Sequence, residues 1–162
     1  MSLKNRINRK LFFIGEEETF FNRVKFIVFY QIKLVFELLA YYCPINSIRV
    51  SLHKARGLKV GNDVYLGREL LIDRVYTNKI TIGNHTTIGD RTIITAHAST
   101  PVKLYFKRFF EVIKDVKIGN NVWIQPQVII TPGVIVGDDS IIVTGSVVTE
   151  DVPPKSYVTP HS

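Results

Sequence analysis

The sequence of 162 residues predicts an all-β solenoid of about four coils, preceded by an α-helical segment. Two observations predict this fold class: an aliphatic residue recurs every sixth position from residue 60 onward, and the preceding residues are basic and aromatic-rich without that period. The composition, 46% hydrophobic and 22% charged, allows a buried core and excludes a disordered or fibrous chain. A single cysteine, Cys43, excludes an internal disulfide framework and a cysteine-ligated zinc site.

Charge divides the chain into two segments. The formal net charge of +7 lies entirely within residues 1–59, because residues 60–162 hold equal numbers of basic and acidic side chains. The basic residues are scattered and form no recognised nucleic-acid-binding motif, so we expect no nucleic acid partner. Residues 1–59 are therefore predicted to be a separate, basic and aromatic-rich helical segment.

One long helix is predicted over Phe20–Tyr42, since this run contains no Gly or Pro and Pro44 follows it. Charged residues interrupt the run too often for a transmembrane span, and bulky Tyr41 and Tyr42 stand where a signal peptide needs small residues. Two interpretations remain for its apolar face. It packs on the rest of the protein or on another subunit, or it is an interfacial helix that gives a cytoplasmic protein peripheral contact with the inner face of the membrane through residues 20–42.

The six-residue period predicts the solenoid. Each hexad supplies a short strand and a corner, its aliphatic residue points inward, and three hexads complete one triangular coil. Glycine follows the aliphatic residue in six hexads, where we expect it to give the backbone freedom beside the turn. The repeat predicts a β-helix over residues 60–154 with a protruding loop over 98–115, followed by a short tail over 155–162. The aliphatic column consists of Val60, Leu66, Ile72, Ile82, Ile88, Ile94, Ile118, Ile124, Ile130, Val136, Ile142 and Val148.

Residues 117–154, which include the motifs NNVW, ITPGV and DVPP, resemble the bacterial hexapeptide-repeat acyltransferases, among them the galactoside, maltose and polysaccharide O-acetyltransferases. The resemblance extends over about residues 57–154. It implies a left-handed parallel β-helix, a homotrimer with its active site in the cleft between neighbouring subunits, and acetyl-CoA as the acyl donor.

The same resemblance assigns roles to single residues. It implies that His97, in TIITAHAST, is the catalytic general base, and an imidazole suits this role because it titrates near neutral pH. It implies cofactor contacts for Trp123, Thr144, Gly145 and Thr149. Glu69 and Asp73 fall in the region where relatives bind acceptor hydroxyls, although solvated corner carboxylates would explain them equally well.

The sequence departs from the family pattern on the cofactor side. Pro126 lacks an N–H where relatives have a backbone donor, Thr144 replaces a smaller residue, Glu150 replaces a lysine, and the basic tail of the family is missing. These departures favour an alternative function, a catalytically impaired trimeric scaffold or binding module. They leave His97 intact.

The leading interpretation is an acyl-CoA-dependent O-acyltransferase that acts on a sugar hydroxyl, such as that of a surface polysaccharide or lipopolysaccharide precursor. A small-molecule acceptor and N-acyl transfer to an amino sugar fit the same residues. A zinc site of the kind in γ-class carbonic anhydrases would need three suitably placed histidines. His85 and His97 are twelve residues apart and no third histidine has the right spacing, so we expect no metal.

Overall fold

A computed structural model describes residues 20–98 and 112–160. Helix α1 (Phe20–Tyr42) has the range expected from its lack of Gly and Pro, and α2 (Asn46–Ala55) follows after Pro44. The chain divides into two compact units, Met1–Val35 and Phe36–Ser162, with the boundary inside α1.

Three parallel sheets form the sides of a solenoid. The first sheet contains β1 (Lys59–Val60), β4 (Ile80–Ile82), β9 (Val116–Ile118) and β12 (Ile135–Val136). The second contains β2 (Tyr65–Leu66), β5 (Thr87–Ile88), β10 (Trp123–Ile124), β13 (Ile141–Ile142) and β15 (Tyr157–Val158). The third contains β3 (Leu71–Ile72), β6 (Ile93–Ile94), β11 (Ile129–Ile130) and β14 (Val147–Val148). The chain visits the sheets in that order four times, which confirms the predicted four coils.

The aliphatic column forms the core of the solenoid. Ile88, for example, is fully buried and is in register with Leu66 in the coil below and Ile124 in the coil above. Of the twelve predicted core positions, only Val60, in the first coil, is partly exposed. The six-residue period is therefore the spacing of inward-pointing residues from one side to the next.

The glycine column has a different cause from the one predicted. The six glycines that follow an aliphatic residue are not in the positive-φ region, which is occupied two positions later by non-glycine residues such as Glu69 and His85. The next coil passes too close for a side chain instead: a Cβ on Gly83 would lie 2.5 Å from the carbonyl oxygen of Gly119. Close approach of backbones, rather than turn geometry, requires glycine there.

The C-terminal residues extend the solenoid beyond its predicted end. Residues 155–162 were expected to be a tail, but β15 pairs with β13, with Val158 in register with Ile142. Val152 forms a bridge with Val136, so this partial coil is two residues shorter than the regular eighteen. That shortening hides it from a search for a strict six-residue period.

Two insertions interrupt the repeat at the corner between the third and first sheets, which we call the third-to-first corner. Ile72 and Ile94 end successive strands of the third sheet and are in register. The first insertion contains a 3₁₀ helix (Thr77–Lys79). The second begins with β7 (His97–Ala98), which pairs antiparallel with β8 (Val112–Ile113). Most of the predicted loop 98–115 lies outside the described residues. The insertions are one coil apart, so their side chains meet.

Helix α2 packs on the first coil through polar groups. The Arg49 guanidinium is buried and donates from Nε to the Leu66 carbonyl at 2.7 Å and from Nη1 to the Cys43 carbonyl at 2.8 Å. The Asn46 amide donates to the Val64 carbonyl and accepts from the Leu66 N–H. The exposed apolar side chains on the helices within unit 36–162 include Leu38, Leu39, Tyr42 and Ile48. Within the described ranges, neither helix is long and apolar enough to cross a membrane.

Candidate active site

His97 and Asp73 meet at the third-to-first corner. His97 is the first residue of β7, and Asp73 follows the last residue of β3 one coil away. The His97 Nδ1 atom lies 2.5 Å from Asp73 Oδ2. The Asp73 side chain has no solvent exposure, whereas a quarter of the His97 side chain (25%) is exposed. A buried carboxylate thus holds an imidazole whose other edge faces outward.

Five donors converge on the Asp73 carboxylate. Its Oδ1 accepts the backbone N–H groups of Val75 (3.0 Å) and Tyr76 (2.9 Å). Its Oδ2 accepts those of Ala96 (2.9 Å) and His97 (3.1 Å) in addition to the imidazole. Burial raises the pKa of the Asp73 carboxyl, but the hydrogen bonds from His97, Tyr76 and Ala96 outweigh it, so the net shift of the pKa is downward. Asp73 is therefore ionised at neutral pH.

The ionised carboxylate fixes the tautomer of the imidazole. A carboxylate only accepts hydrogen bonds, so the short contact places the His97 proton on Nδ1 and leaves the lone pair on Nε2. The Tyr76 ring packs edge-on against the imidazole, with centroids 5.2 Å apart and planes at 62°. This arrangement can take a proton from a hydroxyl group brought to Nε2 and can stabilise the resulting imidazolium.

Comparison with known proteins places the chain in a family. Residues 115–150 match the family described as bacterial transferase hexapeptide (six repeats). Galactoside O-acetyltransferase of Escherichia coli strain K12 is 38% identical over 101 residues, which cover 60% of this chain and 47% of that enzyme. The chain belongs to the hexapeptide-repeat acyltransferase family. It spans about half the length of this curated relative.

Solved structures of hexapeptide-repeat proteins share the fold, a left-handed β-helix with an N-terminal helix. A galactoside acetyltransferase in complex with coenzyme A has a TM-score of 0.57 at 25% identity, over 98% of this chain and 86% of that one. A hexapeptide-repeat acetyltransferase of Vibrio cholerae in complex with acetyl coenzyme A has a TM-score of 0.63 at 21% identity, over 83% and 84% of the two chains. At 21% identity, the likeness to the Vibrio cholerae structure supports the fold only.

From the sequence, Asp73 was expected in the region where relatives bind the acceptor, but in this chain its side chain is buried. In the described part of a single chain the carboxylate is fully buried and accepts hydrogen bonds from protein groups, so it is not presented to an acceptor hydroxyl at the surface. It instead hydrogen-bonds to His97 through Oδ2. Glu69 is on a different corner, between the second and third sheets, where Arg91 Nε lies 2.7 Å from its Oε2. Glu69 and Asp73 are therefore not brought together in one chain.

The residues expected to contact the cofactor lie on three parts of the solenoid. Trp123 points outward from the second sheet, in register with Thr87 and Ile141, and is half-exposed. Thr144 and Gly145 lie on the second-to-third corner, the same corner as Glu69, and both are exposed. Thr149 directly follows β14 and lies on the third-to-first corner, like Asp73. A single chain therefore brings only Thr149 to the corner that carries His97.

Two of the departures from the family pattern, Thr144 and Pro126, are joined by a hydrogen bond. The Thr144 hydroxyl donates to the Pro126 carbonyl at 2.5 Å, and the Thr144 N–H donates to the Gln125 side-chain oxygen at 3.1 Å. Both hydrogen-bond donors of Thr144 are therefore used within the protein, one by Pro126 and the other by Gln125. Gly145, with φ +78°, allows the turn that follows.

Metal ligands do not cluster in the described ranges, 20–98 and 112–160. No group of three or more His, Cys, Asp and Glu side chains there could hold a metal ion. His85 is on another corner, where its Nδ1 lies 3.5 Å from Asp63 Oδ2.

Sequence reasoning missed the contacts of Asp73 and Tyr76 with His97, although a signal was present. Both interruptions of the repeat begin directly after a third-sheet strand, and those strands occur in successive coils. Insertions at one corner of neighbouring coils are adjacent in space, so Asp73 and His97 could have been paired from the spacing alone.

Proposed function

We propose that the protein is an acetyl-CoA-dependent O-acyltransferase that uses His97 as general base and acts on a sugar hydroxyl. The observation that carries the proposal is the buried Asp73 carboxylate, 2.5 Å from His97 Nδ1, with five donors around it. The relatives support the reaction class, since they include proteins named galactoside O-acetyltransferase. The glycan, whether a surface polysaccharide or a lipopolysaccharide precursor, is the acceptor class that we favour.

The proposed reaction needs one base and no covalent enzyme intermediate. Nε2 of His97 takes the proton of the acceptor hydroxyl while the hydroxyl oxygen attacks the thioester carbonyl carbon. The tetrahedral intermediate collapses, the carbon–sulfur bond breaks, and the thiolate of CoA takes the proton back from the imidazolium. Asp73 stabilises the imidazolium between these two proton transfers and returns the same tautomer for the next turnover.

We further propose that the site is completed by a second copy in a homotrimer. His97 lies on the third-to-first corner, whereas Trp123 points outward from the second sheet, which forms the opposite side of the triangular coil. Placing the second sheet of one copy against the third-to-first corner of the next would form a cleft lined by both residues. The half-exposed Trp123 indole then becomes part of the acyl-donor pocket rather than a solvated side chain.

We also propose that α1 gives the protein peripheral contact with a membrane surface. Large apolar side chains are exposed along residues 20–35, including Phe20, Phe21, Phe29 and Ile32, and the sequence of this stretch carries three basic and no acidic side chains. Apolar area together with basic charge favours an anionic lipid surface. Flotation with anionic but not zwitterionic vesicles would support this, whereas equal recovery with both or with neither would oppose it.

The function is tested by thermal unfolding and acyl transfer in wild type and His97→Ala. Acetyl-CoA at 100 times its dissociation constant would stabilise either protein by about 2.7 kcal/mol if it binds only the native state. We expect this shift in both proteins and release of CoA thiol, with a panel of mono- and oligosaccharides, only in wild type. His97→Ala is expected to lower kcat by about 10²–10⁴-fold.

The matched control is His85→Ala, since His85 is an exposed histidine on another corner of the solenoid. It should keep both the thermal shift and the turnover. Absence of any shift at millimolar acetyl-CoA would favour the scaffold function that the departures around Pro126 suggest.

A further inference from the structure

Asp73 is itself held by groups outside the His97 contact. The Asp73 main-chain carbonyl accepts the Thr77 hydroxyl at 2.6 Å, and Thr77 is completely buried at the start of the 3₁₀ helix. The Arg56 guanidinium reaches the same backbone from the C-terminal end of α2, and its Nη2 donates to the Ile72 carbonyl at 3.0 Å and to the Asp73 carbonyl at 3.5 Å. Two side chains thus converge on the backbone of one residue.

Arg56 is fixed in turn by a buried carboxylate. Its Nη2 lies 3.3 Å from Oε2 of Glu37, whose side chain is 4% exposed, and Arg74 Nε lies 2.9 Å from Oε1 of the same group. The Nη1 atom of Arg56 lies 3.0 Å from His53 Nδ1 on α2. A guanidinium with three sets of partners and no exposure has little freedom to move, so it can transmit a fixed position to the Ile72–Asp73 backbone.

We propose that Thr77 and Arg56 are positioning residues for the reaction, because together they clamp the Asp73 backbone and thereby hold the carboxylate against His97 Nδ1. The inference rests on the proposed function for its kinetic consequence only. The clamp links the helical segment to His97: Arg56 directly follows α2, Glu37 belongs to α1, and Thr77 belongs to the first insertion. In the described part of the chain none of the three hydrogen-bonds to His97, so their effect passes through Asp73.

Thr77→Val removes the hydroxyl and keeps the branched shape, and Thr77→Ser restores the hydroxyl. Thr86→Val is the matched control. Thr86 is also completely buried, and its hydroxyl donates across coils to the Gly119 carbonyl at 2.8 Å, but it lies on the first-to-second corner, away from His97. Thr86 Oγ1 also accepts the Val122 N–H at 3.2 Å, so the control loses at least as many hydrogen bonds as the test variant.

The first readout is the tautomer of His97, measured from its ring ¹⁵N chemical shifts in the free protein at alkaline pH and assigned by its absence in His97→Asn. We expect the Nδ1–H form in wild type, Thr77→Ser and Thr86→Val, and a mixture with the Nε2–H form in Thr77→Val. The second readout is kinetic. General-base catalysis contributes a rate factor of at least about 100-fold, and a misplaced base loses only part of it, so kcat should fall about tenfold in Thr77→Val. The KM for acetyl-CoA should not change.

The two readouts separate the inference from the function beneath it. A changed tautomer in Thr77→Val of a protein that transfers no acyl group would uphold the clamp and overturn the proposed function. An unchanged tautomer in Thr77→Val, or the same change in Thr86→Val, would overturn the clamp whatever the activity. If Thr77→Val does not fold, Arg56→Lys, which keeps a positive charge beside Glu37, carries the same test with the same expected direction.

Discussion

Asp73→Asn is the most informative single substitution because it keeps the shape of the side chain and removes one acceptor. The carboxylate presents two oxygens, one to two backbone N–H groups and the other to two backbone N–H groups and the imidazole. A carboxamide has a single oxygen. Whichever way it is oriented, an NH₂ group faces at least two backbone N–H donors, one of them from a buried residue.

The magnitude follows from that count. A buried donor that loses its acceptor costs about 1–3 kcal/mol, so the one buried donor in either orientation predicts a loss of at least about 1–3 kcal/mol in the free energy of unfolding. For a chain of this size this corresponds to a decrease in Tm of roughly 2–12 °C. The amide also donates to the imidazole or accepts from it without charge, so the imidazolium loses its counter-ion. We expect kcat to fall by about 10²–10⁴-fold.

Thermal unfolding at one fixed protein concentration and CoA-thiol release measure the two effects. The control is Asp138→Asn, because Asp138 Oδ1 accepts the Asn120 N–H just as Asn120 accepts the Asn84 N–H in the neighbouring coil. An asparagine already fills this role, so the control should be nearly neutral. If Asp73→Asn unfolded within a degree of wild type and turned over at a similar rate, the buried carboxylate would be neither structural nor part of the reaction.

Two further predictions concern pH and assembly. Burial, followed by the charges of Arg56 and Arg49, lowers the pKa of His53 to about 3. Below about pH 6.5 the unfolded chain therefore binds a proton that the folded chain does not. The free energy of unfolding then decreases as the pH is lowered, by up to about 1.4 kcal/mol per pH unit. Urea unfolding at pH 7 and 5 should show a loss of about 2 kcal/mol in wild type and a clearly smaller loss in His53→Gln, and equal losses would contradict the assignment. The second prediction mixes equal amounts of His97→Ala and Trp123→Ala subunits, which are unfolded together and refolded. A site between copies takes His97 from one subunit and Trp123 from the next, and each is intact half of the time, so about a quarter of wild-type activity should return. No recovery would place both residues in the site of one chain.

The sequence could predict the solenoid because its information is local. Each hexad carries its own inward residue, so twelve repeats report the same geometry independently, and α1 is equally local, since the absence of Gly and Pro and the presence of Pro44 define it. Wherever the period breaks, prediction fails. The shortened last coil conceals β15, because Val152 and Val158 are out of phase with the column.

The sequence singles out His97 as the candidate base but does not reveal the residues that hold it. His97 stands in a recognisable motif, but the partner of its Nδ1 lies 24 residues away and is joined to it only through the stacking of coils. The glycine column shows the same limit: the residue type was evident, while its cause, a neighbouring backbone 2.5 Å from a would-be Cβ on Gly83, belongs to the packed coils. Contacts between coils are properties of the assembled solenoid rather than of any one hexad.

The choice of residue at one corner position favours an enzyme over a scaffold. The residue that directly follows the third-sheet strand is Thr95, Thr131 or Thr149 in three coils, so a threonine satisfies the solenoid at this corner. The first coil has Asp73 instead, and a buried carboxylate is costly unless several donors offset its desolvation. Here the donors come from the turn that follows Asp73 and from the start of the excursion that carries His97. A scaffold has no need of a buried negative charge at this point, whereas a base that must become an imidazolium during each turnover does.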